Sequence, residues 1–249
     1  MSNTNEVIKS VRIKKLRYTV NSFEKNKLNK EQRECQRMIE EKPLSIVTGK
    51  AGSGKTLIAC FSALKRLADK KIDQIVITRP TVSTEDNGFL PGGIDEKLDP
   101  WMSPIYGCIK TVVGSDIFQQ LIAANLIEIV PLSFMRGRTF LECSIIVDEA
   151  QNLTHEQTLM VISRIGLHSN MVICGDVKQI DLKKRQDSGL GFLSSLTSEK
   201  DIGLYQLREN HRHPLVDRIL DIYETRDVNE SVPKIITLNN NERQARKVI

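Results

Sequence analysis

The chain has 249 residues, of which 40% are apolar and 27% charged, and 36 Lys and Arg against 31 Asp and Glu leave a net charge of +5. This composition predicts a folded domain with a sizeable core and argues against a disordered chain. No apolar run approaches the roughly 20 residues that a membrane span needs, and charges interrupt the N-terminal stretch where a signal peptide would be apolar. We therefore expect a cytoplasmic protein without a membrane partner.

The predicted elements alternate between helices and strands. Residues 1–28 show no clear period and predict a tail or a marginal strand, and a helix is predicted from Asn29 to a stop at Pro43. Short, β-branched apolar runs predict five strands, at 44–48, 74–78, 127–130, 143–147 and 171–175. Further helices are predicted from Thr56 to about Asp69, around 101–113 after a long irregular segment, over 116–125 with Ser115 as cap, and over 214–224. This alternation predicts an α/β fold, a mostly parallel sheet with helices on both faces.

Residues 49–56, GKAGSGKT, match the phosphate-binding pattern G-x-x-x-x-G-K-[ST] between a buried strand and an amphipathic helix. Glycines let backbone N–H groups point at an anion, and the helix N-terminus adds partial positive charge. Lys55 would contact the β- and γ-phosphates, and the Thr56 hydroxyl would bind Mg²⁺. A plain glycine turn would explain the glycines but not the Lys-Thr pair. The predicted nucleotide-binding residues are Gly49, Lys50, Ala51, Gly52, Ser53, Gly54, Lys55 and Thr56.

Two polar segments follow later strands. The 143–147 run ends in Asp148, predicted to hold Mg²⁺ through its waters, and Glu149, predicted to orient the attacking water or accept its proton. Alternatively, this pair is a helix cap with first-turn charge. Gln179 follows the 171–175 run and is predicted to sense the γ-phosphate, unless it belongs to a simple Gly-Asp turn. ATP is favoured over GTP because the sequence has no NKxD guanine-reading motif.

An arginine commonly neutralises the charge that develops on a transferred γ-phosphate, either in the same chain or from a neighbouring subunit. Arg136 and Arg138 could equally line a nucleic-acid backbone groove or form an exposed basic turn, and the sequence does not separate these roles. The full set of candidates is Arg79, Arg136, Arg138, Arg208 and Arg212.

With these motifs in place, residues 29–225 resemble the PhoH-like family, ATPases related to superfamily 1 helicases. The P-loop alone is generic, but FLPG followed by PLSFMRGRT and then DEAQN is highly specific, and GDVKQIDL and RHPLVDRI add to the match. The resemblance implies a RecA-like parallel sheet, ATP hydrolysis with Mg²⁺, and ring-shaped homo-oligomers such as hexamers. Residues 1–28 and 226–249 would be tails of this domain.

The kinship with helicases implies roles for two more residues. Gln32 resembles the adenine-recognising glutamine, and Arg212 resembles the arginine that contacts the γ-phosphate. In helicases that arginine lies in a second RecA-like domain, for which the residues after Asp176 leave no room. A neighbouring protomer is therefore expected to supply an arginine to the ATP site. The leading candidates for it are Arg136, Arg138 and Arg208.

Longer family members carry a PIN nuclease domain, which the 48 residues ahead of the P-loop are too few to form, so no nuclease activity is expected. The chain resembles stand-alone members, including phage-encoded ones, which would work in the host cytoplasm. We expect Mg²⁺-dependent ATP hydrolysis coupled to binding or remodelling of RNA or single-stranded DNA. The alternative is a nucleotide-gated binding or switch module with slow hydrolysis and no motor activity. Duplex unwinding does not follow from the sequence.

Overall fold

The computed structural model describes residues 2–80, 94–182, 185–196, 199–210 and 214–225. The chain divides into two units, Met1–His211 and Arg212–Ile249. The described part of the second unit is a single helix, Pro214–Thr225, close to the predicted bounds. All other elements belong to the first unit.

The first unit is built on one parallel sheet of six strands in the spatial order β3-β2-β4-β5-β1-β6. Because the strands are parallel, their carboxyl ends meet at one edge, where ligands of open α/β sheets bind. The α/β fold and the five predicted strands are confirmed. The strands are β1 (Leu44–Gly49), β2 (Gln74–Thr78), β3 (Ile127–Ile129), β4 (Cys143–Val147), β5 (Asn170–Gly175) and β6 (Ile202–Leu207).

Helices cover both faces of the sheet. Alternate residues of β5 enter two different cores, Val172 and Cys174 on one face and Met171 and Ile173 on the other. The helices are α1 (Ser2–Lys27), α2 (Lys30–Glu41), α3 (Lys55–Ala68), α4 (Ile94–Val113), α5 (Ser115–Ala123), α6 (Leu132–Met135), α7 (His155–Ile162), α8 (Gly189–Ser195) and α9 (Pro214–Thr225). Residues of α1 to α5 pack in the first core, and residues of α6 to α8 contribute to or pack against the second.

Two predicted helix starts need correction. Helix α4 begins at Ile94, so part of the segment predicted to be irregular is helical. Helix α5 has Gly114 as its N-terminal cap, at a φ of 80°, and Ser115 is its first residue. A glycine tolerates this left-handed φ, and the chain turns there between the two helices. None of the described helices is long and apolar enough to cross a lipid bilayer.

The prediction of a tail or marginal strand for residues 1–28 is wrong, because Ser2–Lys27 forms helix α1. Leu16 and Val20 are fully buried in the core that includes α3, and Phe23 packs against the same core. These three residues follow the i, i+4, i+7 spacing of a helix face. Charged residues surround that narrow stripe and hide the period, so tertiary packing stabilises the helix more than its amphipathic pattern indicates.

Replacing Leu16 by alanine should lower the free energy of unfolding by about 2–4 kcal/mol, because it removes a fully buried side chain from the interface between α1 and α3. Tyr18 on the same helix is 78% exposed, so Tyr18→Ala should change stability by less than about 0.5 kcal/mol. Urea unfolding followed by circular dichroism compares the two variants. Equal, small effects would show that α1 does not pack as described.

Strand β6 was missed by the sequence analysis. It pairs with β1 at the edge of the sheet, and its residues alternate in exposure: Gly203 and Leu207 are buried, whereas Leu204 is exposed. An edge strand with one half-exposed face lacks the continuous apolar run that identified the five central strands. Its position matters because it brings Leu207 beside the P-loop.

Candidate functional site

The phosphate-binding loop follows β1 at the carboxyl edge of the sheet. A Cβ atom on Gly49 would lie 2.6 Å from the Leu207 carbonyl oxygen and 2.7 Å from Ser53 Oγ, so only glycine fits this close approach. Gly54 has a φ of 88°, in the left-handed region that favours glycine, and leads directly into α3. No side chain caps the start of α3, which leaves its first N–H groups for a ligand. The loop therefore has the backbone of an anion site.

Lys55 is the first residue of α3, and its side chain lies over the loop. Its Nζ donates hydrogen bonds to the carbonyl oxygens of Gly49, at 2.7 Å, and Lys50, at 3.0 Å. Ser53 is buried within the loop, and its N–H donates to the Lys50 carbonyl oxygen at 3.2 Å. The lysine charge thus lies inside the curl of the loop, where a phosphate group would bind.

Thr56 and Asp148 connect the loop to the end of β4. The Thr56 hydroxyl donates to Asp148 Oδ1 at 2.8 Å, and Asp148 is only 4% exposed. Burial, and secondarily the neighbouring charge of Glu149, raises the pKa of the Asp148 carboxyl, while the Thr56 hydrogen bond opposes this shift. A hydroxyl and a carboxylate oxygen side by side are hard oxygen donors of the kind Mg²⁺ prefers.

The donor set fits Mg²⁺ in the way P-loop proteins use it. Among the described residues, no three His, Cys, Asp or Glu side chains gather into a group that could hold a metal alone. Mg²⁺ takes one or two protein ligands and completes its shell with water and substrate phosphates. Thr56 would bind the ion directly, and Asp148 would hold it through its water ligands.

Glu149 has a distinctive backbone and two side-chain partners. It has a φ of 51° and occupies the cap position of a short 3₁₀ turn, Ala150–Asn152, but its side chain makes no capping hydrogen bond. Its Oε1 lies 3.6 Å from Arg79 Nη2, and its Oε2 accepts a hydrogen bond from Gln151 Nε2 at 2.5 Å. The Glu149 side chain therefore does not act as a cap, although the residue occupies the cap position. Its carboxylate is held beside the site by residues of the same chain.

Gln32 lies against the end of the P-loop. It is buried, and its Oε1 accepts from the Asn29 N–H at 3.2 Å within the capping box that begins α2. Its Nε2 is so close to Gly54 that a Cβ added there would lie 3.0 Å away. The structure thus brings Gln32 to the phosphate loop, and its role with adenine stays a prediction.

The predicted arginines occupy different surroundings. Arg79 follows β2 and faces Glu149 of its own chain. Arg138 makes two hydrogen bonds to Glu128, at 2.8 and 3.0 Å, and its guanidinium lies 4.6 Å from the centre of the Phe140 ring. Arg136 and Arg208 are exposed. Arg212 lies outside the described residues.

Arg136 lines a cleft of about 540 Å³ between α6 and α7. Its other lining residues are Pro131, Leu132, Ser133, Glu156, Gln157 and Met160. The cleft follows β3 and so lies on the carboxyl side of the sheet, as the P-loop does. Of the two arginines in the RGR segment, Arg136 is thus the exposed one and Arg138 the internally paired one.

A family model described as "PhoH-like protein" matches residues 26–224. The chain belongs to the PhoH-like protein family. A PhoH-like protein of Bacillus subtilis (strain 168) is 41% identical over 197 residues, which cover 78% of this chain and 62% of that protein. Protein PhoH of Escherichia coli (strain K12) is 36% identical over 201 residues, covering 78% of this chain and 57% of that protein. This PhoH-like chain therefore spans less than two thirds of the length of these relatives.

Two solved structures are distantly similar to this PhoH-like chain. The large terminase from the thermophilic bacteriophage D6E is 11% identical, with a TM-score of 0.49 over 77% of this chain and 49% of that one. The Pif1 helicase from Candida albicans is 17% identical, with a TM-score of 0.41 over 79% of this chain and 43% of that one. Both likenesses are distant, so the fold assignment rests on the parallel sheet and the P-loop themselves.

Sequence analysis missed two residues that organise the site of this PhoH-like chain. Gln151 Oε1 accepts from the Asp176 N–H at 3.1 Å while its Nε2 binds Glu149, so one side chain joins the ends of β4 and β5. Asn152 exchanges hydrogen bonds with Asp181, at 2.8 and 3.3 Å. The available signal is the DEAQN motif, in which Gln151 and Asn152 follow the two acids closely.

Gln179 lies in the turn after β5. Its N–H donates to the Asp176 carbonyl oxygen at 3.0 Å, which is the hydrogen bond of a turn, and its side chain is exposed. The turn that was considered as an alternative is therefore present. The role of Gln179 as a γ-phosphate sensor stays a prediction.

Arg138→Ala should lower the free energy of unfolding by about 1 kcal/mol, because it removes the paired contact with Glu128 and the stacking on Phe140. Arg136→Ala should change stability by less than about 0.5 kcal/mol, because its side chain is exposed. Urea unfolding of both variants tests the distinction. A larger effect at Arg136 would reverse the two assignments.

Proposed function

We propose that this PhoH-like chain is a Mg²⁺-dependent ATPase whose turnover is coupled to binding or remodelling of single-stranded RNA or DNA. The observation that carries the proposal is the 2.8 Å hydrogen bond between Thr56 and Asp148. It brings the P-loop and the acidic end of β4 to one point, which is the arrangement that phosphoryl transfer requires.

The residues of the site divide the chemistry between them. The loop amides and Lys55 would bind the phosphates, and Thr56 and Asp148 would hold the metal. Bound Mg²⁺ supplies positive charge against the phosphate oxygens. Glu149 orients the attacking water and accepts its proton, and Arg79 and Gln151 keep the Glu149 carboxylate in place. Gln179 at the end of β5 reports on the γ-phosphate.

Exposed side chains near the carboxyl edge support the coupling to nucleic acid. Arg136 lines the cleft between α6 and α7, and Phe134 in α6 is 57% exposed. An exposed cation and an exposed ring two residues apart suit single strands, whose backbone needs positive charge and whose bases stack on aromatic faces. The net charge of +5 agrees with such a partner.

ATP turnover with and without single-stranded RNA and DNA, over a range of salt concentrations, tests the coupling. We expect one polymer to raise turnover, and the stimulation to fall steeply with salt because phosphate contacts release counterions. Arg136→Ala should weaken the stimulation, whereas Lys71→Ala, which removes an exposed charge before β2, should not. Turnover indifferent to both polymers would contradict the coupling and leave the ATPase intact.

One observation favours the alternative of a slowly hydrolysing, nucleotide-gated switch. Each carboxylate oxygen of Glu149 has a partner in its own chain, Arg79 for one and Gln151 for the other, so the carboxylate is restrained and water can reach it only at its remaining lone pairs. A switch would show ATP-dependent binding of nucleic acid with turnover that the polymer does not raise. The same titrations therefore separate the two functions.

The proposal includes a ring-shaped homo-oligomer in which a neighbouring protomer contributes an arginine to the ATP site. Arg136 and Arg208 suit this role better than Arg138, because Arg138 is paired with Glu128. Mixing two variants tests it, Lys55→Ala and whichever of Arg136→Ala and Arg208→Ala loses basal turnover. Lys55→Ala retains its arginines, and Arg136→Ala or Arg208→Ala retains an intact P-loop. If the arginine acts in trans, mixing Lys55→Ala with the arginine variant should restore part of the turnover. Unchanged specific activity on dilution to a demonstrated monomer would contradict the proposal.

A further inference from the structure

The first turn of α2 connects the P-loop to the chain that leaves β6. On one side, Gln32 lies against Gly54 at the end of the loop. On the other side, the Glu31 carboxylate accepts two hydrogen bonds, from the Arg208 N–H at 2.7 Å and the Glu209 N–H at 3.0 Å. One helical turn therefore contacts both segments, although they are far apart in sequence.

Asn29 adds a second link to the same place. Its Oδ1 accepts from the Gln32 N–H at 2.7 Å, and its Nδ2 donates to Glu209 Oε2 at 2.6 Å. The capping box that starts α2 is thus joined directly to the segment after β6. Because the cap fixes the backbone at Asn29, the positions of Glu31 and Gln32 are fixed as well.

The end of β6 borders the P-loop. Leu207 is paired with Gly49 in the sheet, is 2% exposed, and has its carbonyl oxygen in the space that a Cβ on Gly49 would need. Arg208 and Glu209 follow immediately and are exposed. They lie beyond the paired residues of β6, so the sheet does not hold their N–H groups.

No neighbouring strand in the described part of the chain pairs with Arg208 and Glu209. The Glu31 carboxylate instead accepts hydrogen bonds from these two successive backbone N–H groups. Such hydrogen bonds to a charged group are stronger than those between neutral groups. They restrict both the position and the direction of the backbone at Arg208 and Glu209. Glu31 therefore determines where the chain runs as it leaves the sheet at the rim of the loop.

We propose that Glu31 is a positioning residue of the nucleotide site. It holds the backbone of Arg208 and Glu209 beside the P-loop, where this backbone forms one wall of the site. The inference rests on the proposed nucleotide binding. A P-loop encloses the phosphates, so the nucleoside of the ligand lies outside the loop, at its rim. Gln32 and the wall held by Glu31 both lie at that rim and shape the space for the nucleoside.

Glu31→Gln tests the proposal against Glu34→Gln. The glutamine keeps one acceptor oxygen but loses the charge and presents an amide group to the second N–H. Glu34 lies one turn further along α2 and accepts from the hydroxyl of Tyr205 at 3.0 Å, a residue of β6 itself and not of the segment after it. It is a matched control for the packing of α2 on the strand.

We expect Glu31→Gln to weaken binding of a fluorescent ATP analogue about tenfold and to raise the KM for ATP similarly. The kcat should change less than about twofold, because Lys55, Asp148 and Glu149 are untouched. Hydrogen exchange at the Arg208 and Glu209 amides should become faster. Glu34→Gln should leave the affinity, the KM, the kcat and the amide exchange near the values of the unmodified protein.

Unchanged nucleotide affinity in Glu31→Gln would overturn the proposal, whether or not the amides exchange faster. An equal loss in Glu34→Gln would also overturn it, because general packing of α2 would then be responsible. If Glu31→Gln unfolds too easily, Glu31→Asp keeps the charge on a shorter side chain and should give an intermediate loss of affinity. The affinity measurement does not depend on turnover. If the protein binds the analogue but does not hydrolyse ATP, the proposed ATPase activity is refuted, and the role of Glu31 in binding can still be tested.

Discussion

Replacing Lys55 by alanine should lower ATP turnover at least about 100-fold, since removal of one preorganised group that stabilises developing charge has an effect of this size. The Nζ atom lies inside the curl of the loop, within 2.7–3.0 Å of the Gly49 and Lys50 carbonyl oxygens. A phosphate bound there would take over the interaction with this charge. Nucleotide affinity should fall as well, because the lysine contacts the phosphates in the ground state.

The matched control for Lys55→Ala is Lys71→Ala. Lys71 is an exposed lysine that precedes β2, at the opposite end of the strand from the site, so its removal changes the net charge equally. Its turnover should stay within about twofold of the unmodified protein, because exposed charges at such distances are largely screened. Phosphate release measures both variants. Full activity in Lys55→Ala would show that the loop does not bind the reacting phosphates.

Glu149→Gln should lower turnover about 100- to 1,000-fold while leaving ATP binding nearly intact. A glutamine fills the same space but cannot accept the proton of the attacking water, and general bases contribute rate factors of this order. The Asp148 carboxylate and the Thr56 hydroxyl, which would hold the metal, remain in place. Loss of rate with retained binding therefore distinguishes a base from a binding residue.

Glu142→Gln provides the control for Glu149→Gln. Glu142 lies immediately before β4, at the end of the strand remote from the site, is exposed, and shares the left-handed backbone of Glu149, with a φ of 51° in both residues. Its turnover should be unchanged. A Glu149→Gln variant that hydrolyses ATP at the normal rate would assign the base to another residue. If the variant loses turnover but still binds nucleic acid in response to ATP, the switch becomes the better description.

The sequence predicted the parts of the fold that depend on neighbours along the chain. The five central strands are continuous apolar runs because both faces of a parallel sheet are buried, as the full burial of β4 shows. The P-loop was identifiable because its glycines and the Lys55-Thr56 pair are contiguous. The sequence predicted Thr56 and Asp148 at one magnesium site, since parallel strands bring their carboxyl ends to one edge, but it did not predict the direct hydrogen bond between them.

The missed parts depend on contacts between distant segments. Helix α1 has only a short apolar stripe of Leu16, Val20 and Phe23. Such a stripe does not predict a helix unless the α3 surface that it covers is known. Strand β6 is a half-exposed edge strand, so its pattern resembles a loop. The bond from Gln151 to the Asp176 N–H and the bonds from Glu31 to the chain after β6 join segments whose spacing carries no local signal.

The most direct test of the central claim is the rate of phosphate release from ATP by the purified protein, with Mg²⁺ and with the metal chelated. The account predicts saturable release that requires Mg²⁺ and is lost in Lys55→Ala and Glu149→Gln. Release no greater than that of Lys55→Ala, at any ATP concentration and with single-stranded RNA and DNA present, would contradict it.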